Sequence, residues 1–311
     1  MSLDPHARRL LDILAMAGPV DASRLSVKKR RDRFRELMSL CASNAPIGRA
    51  EDRALPGPGG PIGVRVYTPI ETFADQLPGV IYFHGGGLVA GSPDTHDGVC
   101  RTLANESGCR LISVDYRLAP EHKFPAAVMD SYTAAIWAVE HGAELGIDRE
   151  RIAVAGDSAG ATLAAIVCQL ARRAKGVDLA AQLLLCPITD FAAETESRSA
   201  FARGYLLDKA MMDRDLEYYL PAGADPTDPR ISPLRASDLS GLPPAYVHTA
   251  EFDPLRDEGR AYADRLARAD VKVNYICHPG MIHLFYGMAS AIPYARTALK
   301  RIGSQLRAGL G

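Results

Sequence analysis

The stretch Arg151-Ile-Ala-Val-Ala-Gly-Asp-Ser158-Ala-Gly160 decides the fold. Its first half is a short apolar run typical of a buried strand, and residues 161–174, which follow it, contain almost nothing that resists a helix. Between the two lies a Gly-x-Ser-x-Gly pattern at 156–160. A strand that turns at once into a helix leaves no room for Cβ atoms beside the turning residue, and glycines relieve that crowding. The pattern therefore predicts a serine held exposed at a strained strand-to-helix turn.

Ser158 is accordingly a candidate nucleophile. The N-terminus of the following helix supplies backbone N–H groups and the positive end of the helix dipole, and both stabilise a developing oxyanion. The alternative is an ordinary tight turn with a surface serine, since the pattern alone also occurs by chance. The strand before it and the helix after it favour the catalytic interpretation, because the mechanism requires that context.

Length and composition are those of an ordinary soluble globular protein. The 311 residues are 47% hydrophobic and 23% charged, which allows one large α/β domain with or without a small lid. With 36 Lys and Arg against 37 Asp and Glu, the net charge is −1, so we expect no nucleic-acid partner and no anionic-membrane partner. The six cysteines have no metal-ligand spacing, which predicts reduced thiols and no metal site.

The N-terminal region raises the question of a targeting signal. Arg8 and Arg9 before an apolar run resemble a crude twin-arginine export signal, but Asp12 interrupts the run and the apolar positions fit one helical face. No apolar run reaches the roughly 18 residues of a transmembrane helix. We therefore expect an amphipathic helix and a cytoplasmic protein.

Short apolar strands alternate with helices of ten to fifteen residues along most of the chain. Residues 51–69 predict a β-hairpin, and further strands are expected at 80–83, 111–115, 181–186, 245–249 and 273–277. This alternation predicts an α/β fold with a mainly parallel sheet covered by helices on both faces. Two regions interrupt the alternation: the basic helical segment 1–45, and an inserted helical segment at 188–235.

Four chemically distinctive stretches follow strand ends at one edge of this sheet, where ligands of parallel sheets bind. They are HGGG at 84–87, GDSAG at 156–160, EFDP at 251–254 and HPGMIH at 278–283. Glycines in a row at a strand end let backbone N–H groups point at a ligand, so Gly86, Gly87 and Ala159 are candidate oxyanion donors. A flexible loop is the alternative for the glycine run, and the lack of a following Lys-Ser/Thr excludes a P-loop.

The chain order nucleophile, acid, histidine is the order of hydrolases with this type of turn. Only His278 and His283 follow Asp253 in the sequence. We favour His283, because the strand end would fix His278 in the sheet. His283 would remove the Ser158 proton, Asp253 would hold the imidazole, and water would cleave the resulting acyl-enzyme.

Three other acidic residues lie near the candidate positions and must be compared with Asp253. Asp253 lies just past a strand end. Asp257 and Glu258 are better explained as favourable charges in the first turn of a helix. Asp157 is next to the nucleophile in sequence and so points away from it, which favours a structural role.

Together these residues resemble the hormone-sensitive-lipase-like family of α/β-hydrolase esterases. The resemblance rests on HGGG at 84–87, DYRLAPE at 115–121, FPAA at 124–127, GDSAG at 156–160 and DPLRDE at 253–258. It extends from about residue 55 to the C-terminus, and the GDSAG form is similar to the bacterial family IV carboxylesterases. It implies the α/β-hydrolase fold with an eight-stranded, mostly parallel sheet and a helical cap.

The resemblance also implies a division of the chain and an activity. Residues 1–45 and 188–235 would form the cap, and residues 46–187 and 236–311 the hydrolase core. The expected reaction is hydrolysis of short- to medium-chain acyl esters of small molecules without a cofactor. In this family the oxyanion hole maps onto Gly86, Gly87 and Ala159. Leu284 departs from the family pattern, because small residues commonly follow the catalytic histidine.

A compact apolar substrate pocket is expected where the cap meets the sheet edge. We predict that it is lined by Phe34, Val89, Tyr205, Leu206, Leu207 and Phe285. Such a pocket would favour butyrate to octanoate esters over long-chain triglycerides. The alternative is that these side chains merely pack the cap on the core.

Two other functions stay open at this stage. The same triad could serve a deacetylase or amidase of a small acetylated metabolite. A non-catalytic small-ligand receptor on the same fold is the other alternative, which the presence of His283 disfavours. The last strand would lie at the sheet edge, where it could pair with its copy in a homodimer.

Overall fold

An eight-stranded sheet forms the centre of the molecule, for which a computed structural model describes residues 2–16, 25–70, 74–174 and 177–311. Its strands are β1 (Arg49–Leu55), β2 (Ile62–Thr68), β3 (Leu77–Phe83), β4 (Arg110–Asp115), β5 (Ile147–Asp157), β6 (Ala181–Leu185), β7 (Ala245–Phe252) and β8 (Val273–Ile282). They are arranged in the order β1-β2-β4-β3-β5-β6-β7-β8. The β1–β2 and β2–β4 pairs are antiparallel and the others are parallel. The predicted hairpin and the mostly parallel sheet are thus confirmed.

Helices cover both faces of the sheet. They are α1 (Pro5–Met16), α2 (Val27–Cys41), α3 (Asp97–Ser107), α4 (Ala126–His141), α5 (Ala159–Arg173), α6 (Glu196–Ala200), α7 (Lys209–Tyr219), α8 (Arg256–Arg268) and α9 (Tyr294–Leu310). Buried side chains of α4, α5 and α8 belong to one hydrophobic cluster, and those of α1, α2, α3 and α9 to a second. The prediction of helices on both faces is confirmed.

Strand β3 illustrates why its sequence forms a central strand. Val80 and Tyr82 pack in one cluster, whereas Ile81 and Phe83 pack in the other. Successive side chains of a strand point to opposite faces, so a strand covered on both faces must be apolar at every position. The continuous apolar run is the consequence, and it places the start of the HGGG stretch at the carboxyl edge.

The last two strands are longer than the sequence predicts. Strand β7 continues to Phe252 and β8 continues to Ile282, with Phe252 opposite Ile282 after an irregularity in the register. The prediction ended the last strand at residue 277, before Pro279. Strand β8 lies at the edge of the sheet, as expected, and proline is tolerated there because one side of an edge strand needs no partner.

Two short helices lie in the segment that interrupts the alternation of strands and helices. Residues 188–235 contain α6 and α7, and α7 is joined to the N-terminal region by an ion pair between Asp215 and Arg30 of α2. Residues 17–24, part of the predicted cap region 1–45, lie outside the described residues. Among the described helices, none combines the length and apolar character that a bilayer crossing would need.

Candidate active site

Ser158 occupies the turn between β5 and α5. Its backbone has φ 52° and ψ −120°, and α5 begins at the next residue. A Cβ on Gly160 would collide with the carbonyl oxygens of Phe83 and His84, and one on Gly156 would collide with the Gly160 backbone. The two glycines are therefore required by the closeness of the turn to strand β3, as their spacing predicts.

A line of hydrogen bonds connects Ser158 to a histidine and a carboxylate. Nε2 of His283 lies 3.0 Å from Ser158 Oγ, and its Nδ1 lies 2.8 Å from Asp253 Oδ2. The other oxygen of Asp253 accepts from the Leu255 N–H at 2.8 Å. All three side chains are buried. A carboxylate on Nδ1 keeps the proton there, which leaves Nε2 free to accept the serine proton.

His278, the other candidate histidine, lies elsewhere. Its Nε2 is 3.1 Å from Nδ1 of His248 on the neighbouring strand, and its Nδ1 is 3.0 Å from the Tyr294 hydroxyl. Burial lowers the pKa of His278 to about 4. The structure therefore brings His283 and not His278 to the serine.

Gly86, Gly87 and Ala159, the predicted oxyanion donors, lie close to Ser158. Gly86 and Gly87 have φ values of 121° and 69° and line the cavity that contains Ser158. Ala159 is the first residue of α5, so its N–H has no intrahelical acceptor. Within the part of the chain that the structure describes, none of these three N–H groups donates a hydrogen bond. Such free donors beside a nucleophile can bind a developing oxyanion.

A cavity of about 760 Å³ opens onto Ser158, His283 and the two glycines. Its walls come from α1, α2, α7, the 203–208 segment and Leu284. Of the predicted pocket residues, Phe34, Leu206 and Leu207 line this cavity. Leu284, which departs from the family pattern, has φ 59° and also borders it.

The other three predicted pocket residues lie elsewhere, and for them the prediction is corrected. Val89 is fully buried in the core. Phe285 packs between His278 and Tyr294. Tyr205 stacks on Phe252 with its ring centroid 5.9 Å away. Each is apolar and close to a cavity residue in sequence, but neighbouring residues in a loop or strand end point in different directions.

Comparison with known proteins identifies the family to which the chain belongs. The sequence profile of a family described as the alpha/beta hydrolase fold matches residues 80–287, which is more than half of the chain. The chain belongs to the α/β-hydrolase family. The predicted resemblance to hormone-sensitive-lipase-like esterases is confirmed, and the protein is a carboxylic ester hydrolase.

Relatives of this hydrolase support the same conclusion over nearly its whole length. It is 41% identical to the carboxylesterase NlhH of Mycobacterium tuberculosis, over 96% of this chain and 93% of the relative. It is 37% identical to an ethyl acetate hydrolase of Pseudomonas putida, over 99% of both chains. A hyperthermophilic esterase from Pyrobaculum calidifontis superposes with a TM-score of 0.94 at 42% identity, covering 99% of each chain.

Asp157 of the hydrolase has the structural role that its position predicts. It lies beside the start of the glycine run, where it accepts from the Gly85 N–H at 3.0 Å and from the Tyr82 hydroxyl at 2.6 Å. Its other oxygen lies 3.2 Å from Nε2 of His96. Although burial opposes ionisation, His96 and Tyr82 lower the pKa of Asp157. The carboxylate therefore fixes the start of the glycine run relative to the nucleophile.

Cys186 is a residue of the site that the sequence did not reveal. It follows β6 with φ 44°, and its sulfur, an Asp253 oxygen and a His283 nitrogen lie within 4.8 Å of one another. Burial raises the pKa of the Cys186 thiol well above its usual range. Cys186 therefore lies beside the two side chains proposed to act with Ser158.

Asp257 and Glu258 lie in the first turn of α8, as predicted, and Glu258 is buried there. Its Oε1 accepts from the Thr189 N–H at 2.9 Å, and its Oε2 accepts from Nε of Arg198 at 2.7 Å. Burial raises the pKa of Glu258 to about 7, against the effect of Arg198. Asp257 pairs with Arg256 and accepts from the Ser197 N–H. Both carboxylates therefore attach the 189–198 segment to α8.

Proposed function

We propose that this hydrolase cleaves short- to medium-chain acyl esters through Ser158, His283 and Asp253. The observation that carries the proposal is the line of hydrogen bonds from Ser158 Oγ through His283 to Asp253, at 3.0 and 2.8 Å. Gly86, Gly87 and Ala159 are the proposed oxyanion donors, which is supported by their free N–H groups beside the serine.

The reaction follows from this arrangement in two steps. His283 takes the Ser158 proton as Oγ attacks the ester carbonyl, and the carbonyl oxygen becomes an oxyanion held by the three N–H groups. The protonated imidazole, stabilised by Asp253, then gives its proton to the leaving alcohol. Water repeats the sequence on the acyl-enzyme and releases the acid.

The preference for esters from butyrate to octanoate is part of the proposal. It is supported by a cavity of about 760 Å³ whose apolar walls include Phe34, Leu206 and Leu207. An ethyl acetate hydrolase among the relatives also supports a small substrate. A long triacylglycerol chain would extend beyond such a cavity, so emulsified triolein is expected to be a poor substrate.

The organisation of the chain belongs to the same proposal. We propose that residues 1–45 and 188–235 form a cap over the hydrolase core, which is supported by the α2 and α7 residues in the cavity wall. A cytoplasmic location is supported by the six free cysteines. A homodimer through the edge strand β8 is supported by the position of that strand.

The direct test is hydrolysis of p-nitrophenyl butyrate by the purified protein, beside the Ser158→Ala variant. We expect turnover by the wild type and its loss in the variant, with both proteins folded by circular dichroism. Hydrolysis that survives in Ser158→Ala would contradict the proposed nucleophile. A matched anilide and ester distinguish an amidase, because a faster rate on the anilide would favour that reaction.

A further inference from the structure

A buried ion pair lies in the wall of the active-site cavity. Nε of Arg30 on α2 donates to Oδ1 of Asp215 on α7 at 3.3 Å, and Nη2 donates to Oδ2 at 2.9 Å. The two side chains are only 9% and 8% exposed. Both residues line the same cavity as Ser158 and His283. Burying a charged pair costs desolvation free energy, so its presence in the wall of an ester-binding cavity suggests a specific role.

The Asp215 carboxylate lies directly against the proposed oxyanion hole. A Cβ built on Gly87 would collide with Oδ2 of Asp215, so this oxygen is in contact with the glycine whose N–H is a proposed donor. The ester carbonyl oxygen acquires a negative charge at that place during the reaction. A carboxylate so close to it would oppose the oxyanion by like-charge repulsion, which is strong where water is excluded.

Arg30 is the group that offsets this repulsion. Among the described residues, it is the one that hydrogen-bonds to the Asp215 side chain. The carboxylate also contacts Gly87, which has no side chain that could balance its charge. Burial raises the pKa of Asp215, and Arg30 acts in the opposite direction. The pair therefore presents a nearly neutral surface to the oxyanion hole.

We propose that Arg30 is a positioning residue for ester hydrolysis, which holds the Asp215 carboxylate and cancels its charge beside the oxyanion hole. This inference rests on the proposed function, because it takes Gly87 as an oxyanion donor. It distinguishes electrostatic compensation in the transition state from a simple attachment of α2 to α7. The two roles predict different results when one partner or both partners are removed.

The test compares Arg30→Met, Asp215→Asn and the double variant on p-nitrophenyl butyrate at pH 8. Arg30→Met leaves the carboxylate uncompensated, so kcat should fall on the order of 10- to 100-fold, with KM changed less than about 3-fold. Asp215→Asn removes the repulsion and keeps the cation, so kcat should rise. The double variant should recover kcat to within about 3-fold of the wild type. Arg30→Lys, which keeps the charge, should lose less activity than Arg30→Met.

Arg31 provides a matched control. Its guanidinium joins α2 to Glu121 and to the carbonyl oxygens of Val89 and Ala119. Arg31 is on the same helix as Arg30 but does not line the cavity. Arg31→Met should therefore lower the melting temperature and change kcat less than about 3-fold.

Two results would overturn the inference. One is a double variant that is as slow as Arg30→Met, which would indicate a structural attachment. The other is a lower kcat of Asp215→Asn than of the wild type. This measurement does not need Arg30→Met, so it can be made even if that variant fails to fold. Failure of the proposed function is distinct, because there the wild type would be inactive or Ser158→Ala active. If the wild type is active, Ser158→Ala is inactive and the double variant does not recover kcat, this inference is contradicted and the proposed function is not.

Discussion

Asp253 and Asp257 are four positions apart, yet their surroundings give them different tasks. Asp253 is fully buried and contacts His283, whereas Asp257 is partly exposed and bonds to Arg256 and the Ser197 N–H. At the scale of single residues, the role that we propose for Asp253 follows from its partner His283 and not from its residue type. The same holds for the two histidines, because His278 is bonded within the sheet.

Asp253→Asn is expected to lower kcat on the order of 10³- to 10⁴-fold while the fold stays intact, because the amide no longer holds the required imidazole tautomer. The matched control is Asp257→Asn, which should keep most of the activity and lose some stability. Steady-state kinetics with p-nitrophenyl butyrate and thermal unfolding check both. If the control variant lost activity in place of Asp253→Asn, the assignment of the acid would be wrong.

The sequence predicts the line Ser158, His283 and Asp253 because each residue belongs to a short stretch that also ends a strand. It could not predict the Arg30–Asp215 pair, whose members are separated by 185 positions. The place of Glu258 in the first turn of α8 was predicted, but its burial was not. A first-turn carboxylate is usually exposed, and only the packing of the 189–198 segment makes this one buried.

At the scale of elements, strands β7 and β8 share a buried pair of histidines. His248 and His278 stack with ring centroids 5.3 Å apart and a hydrogen bond between their rings. Burial lowers the pKa of His248 to about 3 and that of His278 to about 4. Both are thus neutral in the folded protein across a pH range in which unfolded histidines become protonated.

This pair should make the fold sensitive to acid. The unfolded chain binds more protons than the native one below pH 6.5, so stability present at pH 7 is lost as the pH falls toward 4. From pH 7 to pH 5, one such histidine accounts for a loss of about 2 kcal/mol. Urea unfolding at both pH values should therefore show that the free energy of unfolding decreases less from pH 7 to pH 5 in His278→Gln than in the wild type.

Exposed His122 provides the control, because His122→Gln should leave the difference between the two pH values unchanged. The prediction would be contradicted if the free energy of unfolding decreased equally in the wild type and in His278→Gln. Both strands were predictable from their apolar runs. Their last residues were not predictable, because an edge strand tolerates proline and the sequence does not show how far β8 continues past Pro279.

At the scale of the whole molecule, the cavity is a product of elements distant in the chain. The N-terminal helices, the segment before α7 and the loop after His283 each contribute to its walls. Three of the six predicted pocket residues line it, because composition identifies apolar side chains but not the direction in which each points. The fold class, by contrast, depends on periodicity along the chain and was predictable throughout.

Leu206 and its neighbour Tyr205 test this arrangement. Leu206→Ala enlarges the cavity, so we expect the optimum acyl length of p-nitrophenyl esters to shift toward longer chains by about two carbons. Tyr205→Ala should leave that optimum in place, since Tyr205 packs on Phe252 and Phe201 outside the cavity. Rates from acetate to dodecanoate measure the shift. An equal shift in both variants would contradict the placement of the two side chains.

The order of the strands divides the proposed machinery between two parts of the chain. The glycine run and Ser158 follow the adjacent strands β3 and β5, whereas Asp253 and His283 follow β7 and β8. A break in the turn-rich segment 221–230 would leave nucleophile and oxyanion donors on one fragment and acid and base on the other. Neither fragment alone could hydrolyse an ester, so colour from a chromogenic substrate would report their association. The chain is thereby suited to a split-enzyme reporter.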